Sequence, residues 1–143
     1  MAYSNYDAST TNKSKRSNRI YSDLNLSFIK NPATKDVAKV FDIQAIKRAV
    51  KNIILTNKYE RPFNSDFGCN LRGFLFENIT EPVLVLMKDR ISTAIEKYEP
   101  RVSVEDIVIN EDEENNGVNI MVSFLTVGAE SPVTVSTFLQ RVR

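Results

Sequence analysis

Hydrophobic positions alternate near the start of this chain, recur every three to four residues through its middle, and alternate again toward its end. Leu24, Leu26 and Phe28 are separated by polar neighbours, Asn31-Pro32-Ala33-Thr34 supplies turn residues, and Val37 and Val40-Phe41 follow. That order predicts a β-hairpin. Asp42 then stands where a helix N-cap belongs, with Ile43, Ile46, Val50, Ile53 and Ile54 at helical spacing behind it. The spacing predicts a helix running to about Asn57, with Lys47, Arg48 and Lys51 on its solvated face.

The next stretch, ERPFNSDFGCNLRGFLFEN, has no clean period. Pro62 disfavours helical geometry at Arg61, while Phe63, Phe67, Leu71, Leu75 and Phe76 bring a large apolar load to a connection. A connection so rich in aromatics is expected to fold back on the core. Thr80 is placed to cap a second long helix, in whose first turn Pro82 is tolerated. Leu84, Met87, Ile91, Ala94, Ile95 and Tyr98 form one apolar stripe along it, which reads as core.

Beyond Pro100 the period drops to two. Val102 and Val104 alternate, as do Ile107 and Ile109, with a slip of phase at Glu105-Asp106 that predicts a β-bulge. Val118, Ile120, Val122 and Phe124 alternate cleanly, and Val133 and Val135 resume after a turn at Gly128-Ala129-Glu130-Ser131. Three antiparallel strands follow from this, with the even-numbered residues of the middle strand facing inward. The fold expected is α+β, with two long helices packed on one face of an antiparallel sheet, preceded by an N-terminal hairpin.

Composition narrows the possibilities. At 143 residues, with 42% hydrophobic and 26% charged content, the chain reads as one folded domain over 23–143. Residues 1–22 lack apolar periodicity, and Lys13, Lys15, Arg16 and Arg19 against Asp7 give them a charge of +3, as in a flexible basic arm. A net charge of +1 gives no global pull toward nucleic acid or membrane. No signal peptide is legible at the start, and the single Cys69 fits a reducing compartment, so a soluble, intracellular protein is expected. From Val102 to Val127 there are six acidic residues and no basic one, which makes that end negative.

Chemistry is limited by what is missing. Without histidine there is no Ser-His-Asp triad and no imidazole metal site, and one cysteine cannot build a zinc cluster. The four glycines are scattered, so no phosphate loop forms, and the acidic EDEENNG stretch lacks the ligand spacing of a calcium loop. No metal, cofactor or small-molecule substrate is expected.

Two motifs remain, in register. Arg61-Pro62-Phe63, Phe67-Gly68 and Leu75-Phe76-Glu77 come first, and Glu99-Pro100-Arg101-Val102 follows at the end of the next helix. Together they resemble the baseplate wedge and sheath-initiator family of contractile phage tails, which includes the TssE component of type VI secretion baseplates. The resemblance covers about residues 23 to 140, and Ser65 stands where members often carry proline. It implies a structural protein of the virion tail baseplate that links other baseplate wedge proteins to the first ring of tail sheath protein. Glu99, Pro100 and Arg101 match the family's wedge-binding motif. A proline corner would present Glu99 and Arg101 rigidly to a partner, whereas an internal pairing of Arg101 with Glu77 or Glu99 would instead tie helix to sheet.

The family resemblance also implies strand exchange between sheath subunits. The last segment, PVTVSTFLQRVR, reads as an edge strand guarded only by Pro132, Arg141 and Arg143. Val133, Val135, Thr137 and Leu139 mark the stretch offered for docking by β-augmentation, unless the N-terminal hairpin or arm covers it. One rival reading is a carboxylate-based glycoside hydrolase, since such family members are sometimes labelled lysozyme-like. It would need two of Glu77, Glu99 and Asp66 across a cleft, in a chain without tryptophan. Nucleic-acid binding through the arm lacks a supporting fold motif.

Overall fold

The computed structural model describes residues 21–126 and 131–141. The expected arm over 1–22 lies almost wholly outside them, as do most of the turn at 128–131 and Arg143. The element order is β1 (Ser22–Leu24), β2 (Lys39–Phe41), α1 (Asp42–Leu55), α2 (Glu81–Tyr98), β3 (Val102–Asp112), β4 (Gly117–Thr126) and β5 (Val133–Gln140). This is the α+β fold expected from the periodicities. The chain divides into two compact units, 1–42 and 43–143.

In the first unit β1 and β2 pair antiparallel, Ser22 opposite Phe41 and Leu24 opposite Lys39, and an isolated bridge joins Lys30 to Val37. The turn is built by Asn31, whose carbonyl accepts from the Lys35 N–H at 2.8 Å and whose side chain accepts from Ala33 N–H. Such self-bonding is why asparagine favours turns. The strands are shorter than the alternation suggests. Leu26 and Phe28 lie outside them and are exposed, and Phe28 takes a positive φ of 51°. The Asp42 carboxylate accepts from Tyr21 N–H at 3.1 Å, which closes the hairpin onto the residue that starts α1.

The second unit holds the core. α1 buries Ala45, Ile46, Val50, Ile53 and Ile54, while Ile43, expected on this stripe, is exposed. The helix starts at Asp42, so Ile43 falls in its first turn, before the buried stripe begins. α2 buries Met87, Ile91, Ala94 and Ile95, with Thr80 at its N-cap position and Pro82 in its first turn. The Thr80 hydroxyl makes no capping bond.

The three-stranded sheet has the order β3-β4-β5, antiparallel throughout. Its register slips between Val104 and Asp106, at the bulge expected there. Along β4 the side chains of Val118, Ile120, Val122 and Phe124 are buried and Met121 is exposed, so the alternation assigns the inner face correctly. Each buried aliphatic side chain contributes roughly 1.5–3 kcal/mol over an exposed one, which is why a one-residue slip is not tolerated.

Candidate functional site

The corner between α2 and β3 is a tight turn. Glu99 N–H closes α2 on the Ile95 carbonyl at 2.8 Å, and the Glu99 carbonyl accepts from Val102 N–H at 3.1 Å. Pro100 and Arg101 are therefore the central residues of a β-turn, with proline at the position its fixed φ favours. Pro100 is exposed. Glu99 is not, and at 4% accessibility it does not project as a rigid-corner display would require. Its two carboxylate oxygens accept from Nε and Nη2 of Arg101, a bidentate fork between neighbours two residues apart. The burial of an acidic residue at this position carries no signature in the sequence. Arg101 keeps 25% of its side-chain surface. Glu77, the other internal partner considered for it, instead offers its backbone carbonyl to Nη2 of Arg141 at 3.4 Å.

The first sequence motif packs against the last turn of α2, next to this corner. The Arg61 guanidinium stacks over the Phe67 ring at 3.7 Å, and that ring packs on Tyr98 with centroids 4.8 Å apart. The Tyr98 hydroxyl donates to the Asp66 carbonyl at 2.8 Å. Arginine, phenylalanine and tyrosine thus form a stack that fixes the connection against the last turn of α2, one residue before Glu99. Tyr98 is the member that motif reading missed, since its spacing marks it only as core.

Gly68 explains the second half of Phe67-Gly68. It is buried at φ +106°, and a Cβ there would lie 2.2 Å from the Thr56 carbonyl oxygen. The connection presses on the C-terminal end of α1 through a position only glycine fills.

Not all of the apolar connection folds inward. Leu71 and Leu75 are buried, but Phe76 is 69% exposed and Phe63 wholly so, at a positive φ of 68°. The expectation that the whole connection returns to the core is corrected here: positive φ at Phe63 turns its ring outward, and Phe76 ends the short 3-10 turn on its solvent side.

Cys69 sits deep beside Gly68, and burial pushes its thiol up to about 12 from an ordinary 9.0. A raised folded-state value favours the neutral thiol. Stability is then full below the ordinary thiol range and falls as pH climbs from about 9 toward 12. Reaction with a thiol reagent at pH 8 is expected only as denaturant unfolds the protein, and the urea midpoint is expected to drop above pH 9. Labelling of the native protein within minutes at pH 8 would contradict this burial.

At the far end of the sheet, the acidic β3–β4 tip is ordered by Asp112. Its carboxylate accepts from the Asn115 side chain at 2.9 Å and backbone N–H at 3.0 Å, which holds it below the usual carboxylate range. Among the described residues no cluster of potential metal ligands forms.

The edge strand has a defined outward side. Arg141 N–H donates to the Asn116 carbonyl at 2.9 Å, so it points toward β4. Counting back in twos, the N–H groups of Leu139, Thr137, Val135 and Val133 also face β4, and those of Gln140, Phe138, Ser136 and Thr134 face away. The four residues marked from sequence therefore supply inward side chains: Val135, Thr137 and Leu139 are buried, and Val133 is half-buried. Their even-numbered neighbours supply the outward backbone. Among the described residues no strand pairs with that outer edge. Near the strand's end, the Phe138 ring lies over Gly117, where an added Cβ would come within 2.5 Å of it.

Residues 42–129 match the family described as Baseplate wedge protein gp25. The chain is 38% identical over 85 residues to the baseplate wedge protein gp25 of Enterobacteria phage T4, a match covering 59% of this chain and 64% of that protein. Less than two thirds of the relative's length is therefore represented. A crystal structure described as a putative tail lysozyme from Geobacter sulfurreducens has a TM-score of 0.63 at 20% identity, covering 70% of this chain and 91% of the other. A chain of the anti-feeding prophage baseplate has a TM-score of 0.60 at 21% identity, covering 86% and 87%. A chain of the post-contraction pyocin R2 baseplate has 0.59 at 13%, covering 74% and 98%. At these identities the three structures establish a shared fold.

Proposed function

The chain belongs to the baseplate wedge protein gp25 family, and from that premise we propose that it is a structural component of a contractile tail baseplate that nucleates the sheath. The observation that carries the sheath half is the outer edge of β5. It is a β-branched strand whose outward N–H groups at Thr134, Ser136, Phe138 and Gln140 meet no strand among the described residues. Natural sheets rarely leave such an edge without a partner or a guard. A strand from the sheath protein, added by main-chain hydrogen bonds, supplies the partner. Other wedge proteins are held at the corner, where exposed Pro100 and half-buried Arg101 form a stiff projection backed by the Arg61–Phe67–Tyr98 stack.

Ser136→Pro tests the edge. It removes one outward N–H at an exposed position and leaves the β4 pairing intact, which proline on an edge strand permits. The variant is expected to fold, to enter baseplates, and to leave them without sheath when assembly is followed by electron microscopy. Full-length sheaths on Ser136→Pro baseplates would show that this edge is not the docking site.

The same proposal gives the chain no hydrolytic role, despite the putative tail lysozyme among its structural relatives. A retaining or inverting glycosidase needs two carboxyl groups opposed across a cleft. Glu99 is buried with both oxygens on one guanidinium, and Glu77 and Asp66 are exposed. No helix among the described residues is long and apolar enough to cross a membrane. The partners proposed are proteins of the tail, with neither nucleic acid nor lipid among them.

A further inference from the structure

One buried side-chain polar atom among the described residues has no hydrogen-bond partner, and it lies on the edge strand. Thr137 is 5% exposed, on the inner face of β5 opposite Ile120, and its Oγ1 is unsatisfied. Buried hydroxyls nearly always have a partner, because leaving one unmet costs most of its lost hydration. Within the sheet, the neighbour on one side of Thr137 is an isoleucine, which offers nothing. On the other side no strand lies among the described residues.

The backbone alternation makes that side favourable. Thr137 N–H points toward β4, so a strand added antiparallel to the outer edge meets Thr137 at a non-hydrogen-bonded pair. In such pairs the Cα atoms are about 4.5 Å apart and facing side chains come closest, near enough for hydroxyl-to-hydroxyl bonding. We propose that Thr137 is a register key: the sheath-protein strand that adds to β5 carries serine, threonine or asparagine opposite it. This rests on the reading of β5 as the docking edge. A strand shifted by two residues would set its hydroxyl beside Val135 or Leu139 and leave Thr137 unmet, so the key selects one register where the backbone alone accepts several.

The test uses the full chain and the purified sheath protein of the same tail. Thr137→Val keeps the shape and removes the hydroxyl. Its melting temperature is expected to equal or exceed that of the wild type by a few degrees, since an unsatisfied buried group is gone. Its affinity for the sheath protein is expected to fall about tenfold, and Thr137→Ser should retain most of the binding. Stability maintained while binding is lost is a result that a purely structural threonine would not give. A lower melting temperature for Thr137→Val would show an internal partner and overturn the key. Wild-type binding by Thr137→Val, with binding lost in Ser136→Pro, would also overturn the key yet keep the edge. Wild-type binding by both would remove the docking reading itself.

Discussion

Gly68→Ala is expected to cost about 3–5 kcal/mol, which takes most of the margin of a domain whose whole stability is of order 5–15 kcal/mol. Two independent penalties meet at this position. At φ +106° an L-residue is strained by about 1–3 kcal/mol. In addition, the new Cβ would sit 2.2 Å from the Thr56 carbonyl oxygen and 2.8 Å from its carbon, so backbone, not a flexible side chain, must move. Gly73→Ala is the control. Gly73 has ordinary helical angles of −59° and −40° and open space around it, so alanine there should be neutral or stabilising by about 0.5 kcal/mol. Urea denaturation of both variants checks the contrast, and similar midpoints for the two would show that the connection is not pressed against α1.

Arg101→Ala is the second large effect, and it bears on both stability and assembly. The substitution leaves the Glu99 carboxylate buried without its cation, a situation that commonly costs about 3–5 kcal/mol. Glu99→Gln is expected to cost less, about 1 kcal/mol, because the orphaned guanidinium is already partly in water and can rehydrate. This order, arginine worse than glutamate, follows from the burial asymmetry and is checked by thermal melts. It also means that a loss of wedge binding in Arg101→Ala alone cannot be separated from a loss of fold. The double variant Glu99→Met with Arg101→Leu removes both charges and should be close to wild type in stability. If the corner is the wedge contact, that stable double variant fails to enter baseplates. If it assembles normally, the pair serves only to tie α2 to β3.

Much of this fold is legible in the sequence because burial on one face imposes a period. Val118 to Phe124 state the inner face of β4 without ambiguity, and the slip at Glu105-Asp106 marks the bulge that the register shows. Side-chain alternation reports which face of a strand is buried, but not which backbone edge is free. The edge turned away from β4 became assignable only through the Arg141 to Asn116 hydrogen bond. At the corner the letters allowed either a displayed pair or an internal one, since nothing in them says that Glu99 points inward; only the structure selects the internal Glu99–Arg101 fork. Phe63 and Phe76 misled for the opposite reason: hydrophobicity predicts burial on average, and here two aromatic rings stand in solvent.

A strand edge addresses its partner with peptide groups, which every amino acid except proline possesses. On the outer side of β5, Thr134, Ser136 and Gln140 could therefore drift through many identities without altering the donors they present. Contacts made in this way are heritable as geometry more than as spelling. If β5 docks the sheath as proposed, baseplate and sheath components from distantly related tails remain interchangeable long after their sequences have ceased to resemble each other, and a position such as Thr137 is where lineages become incompatible.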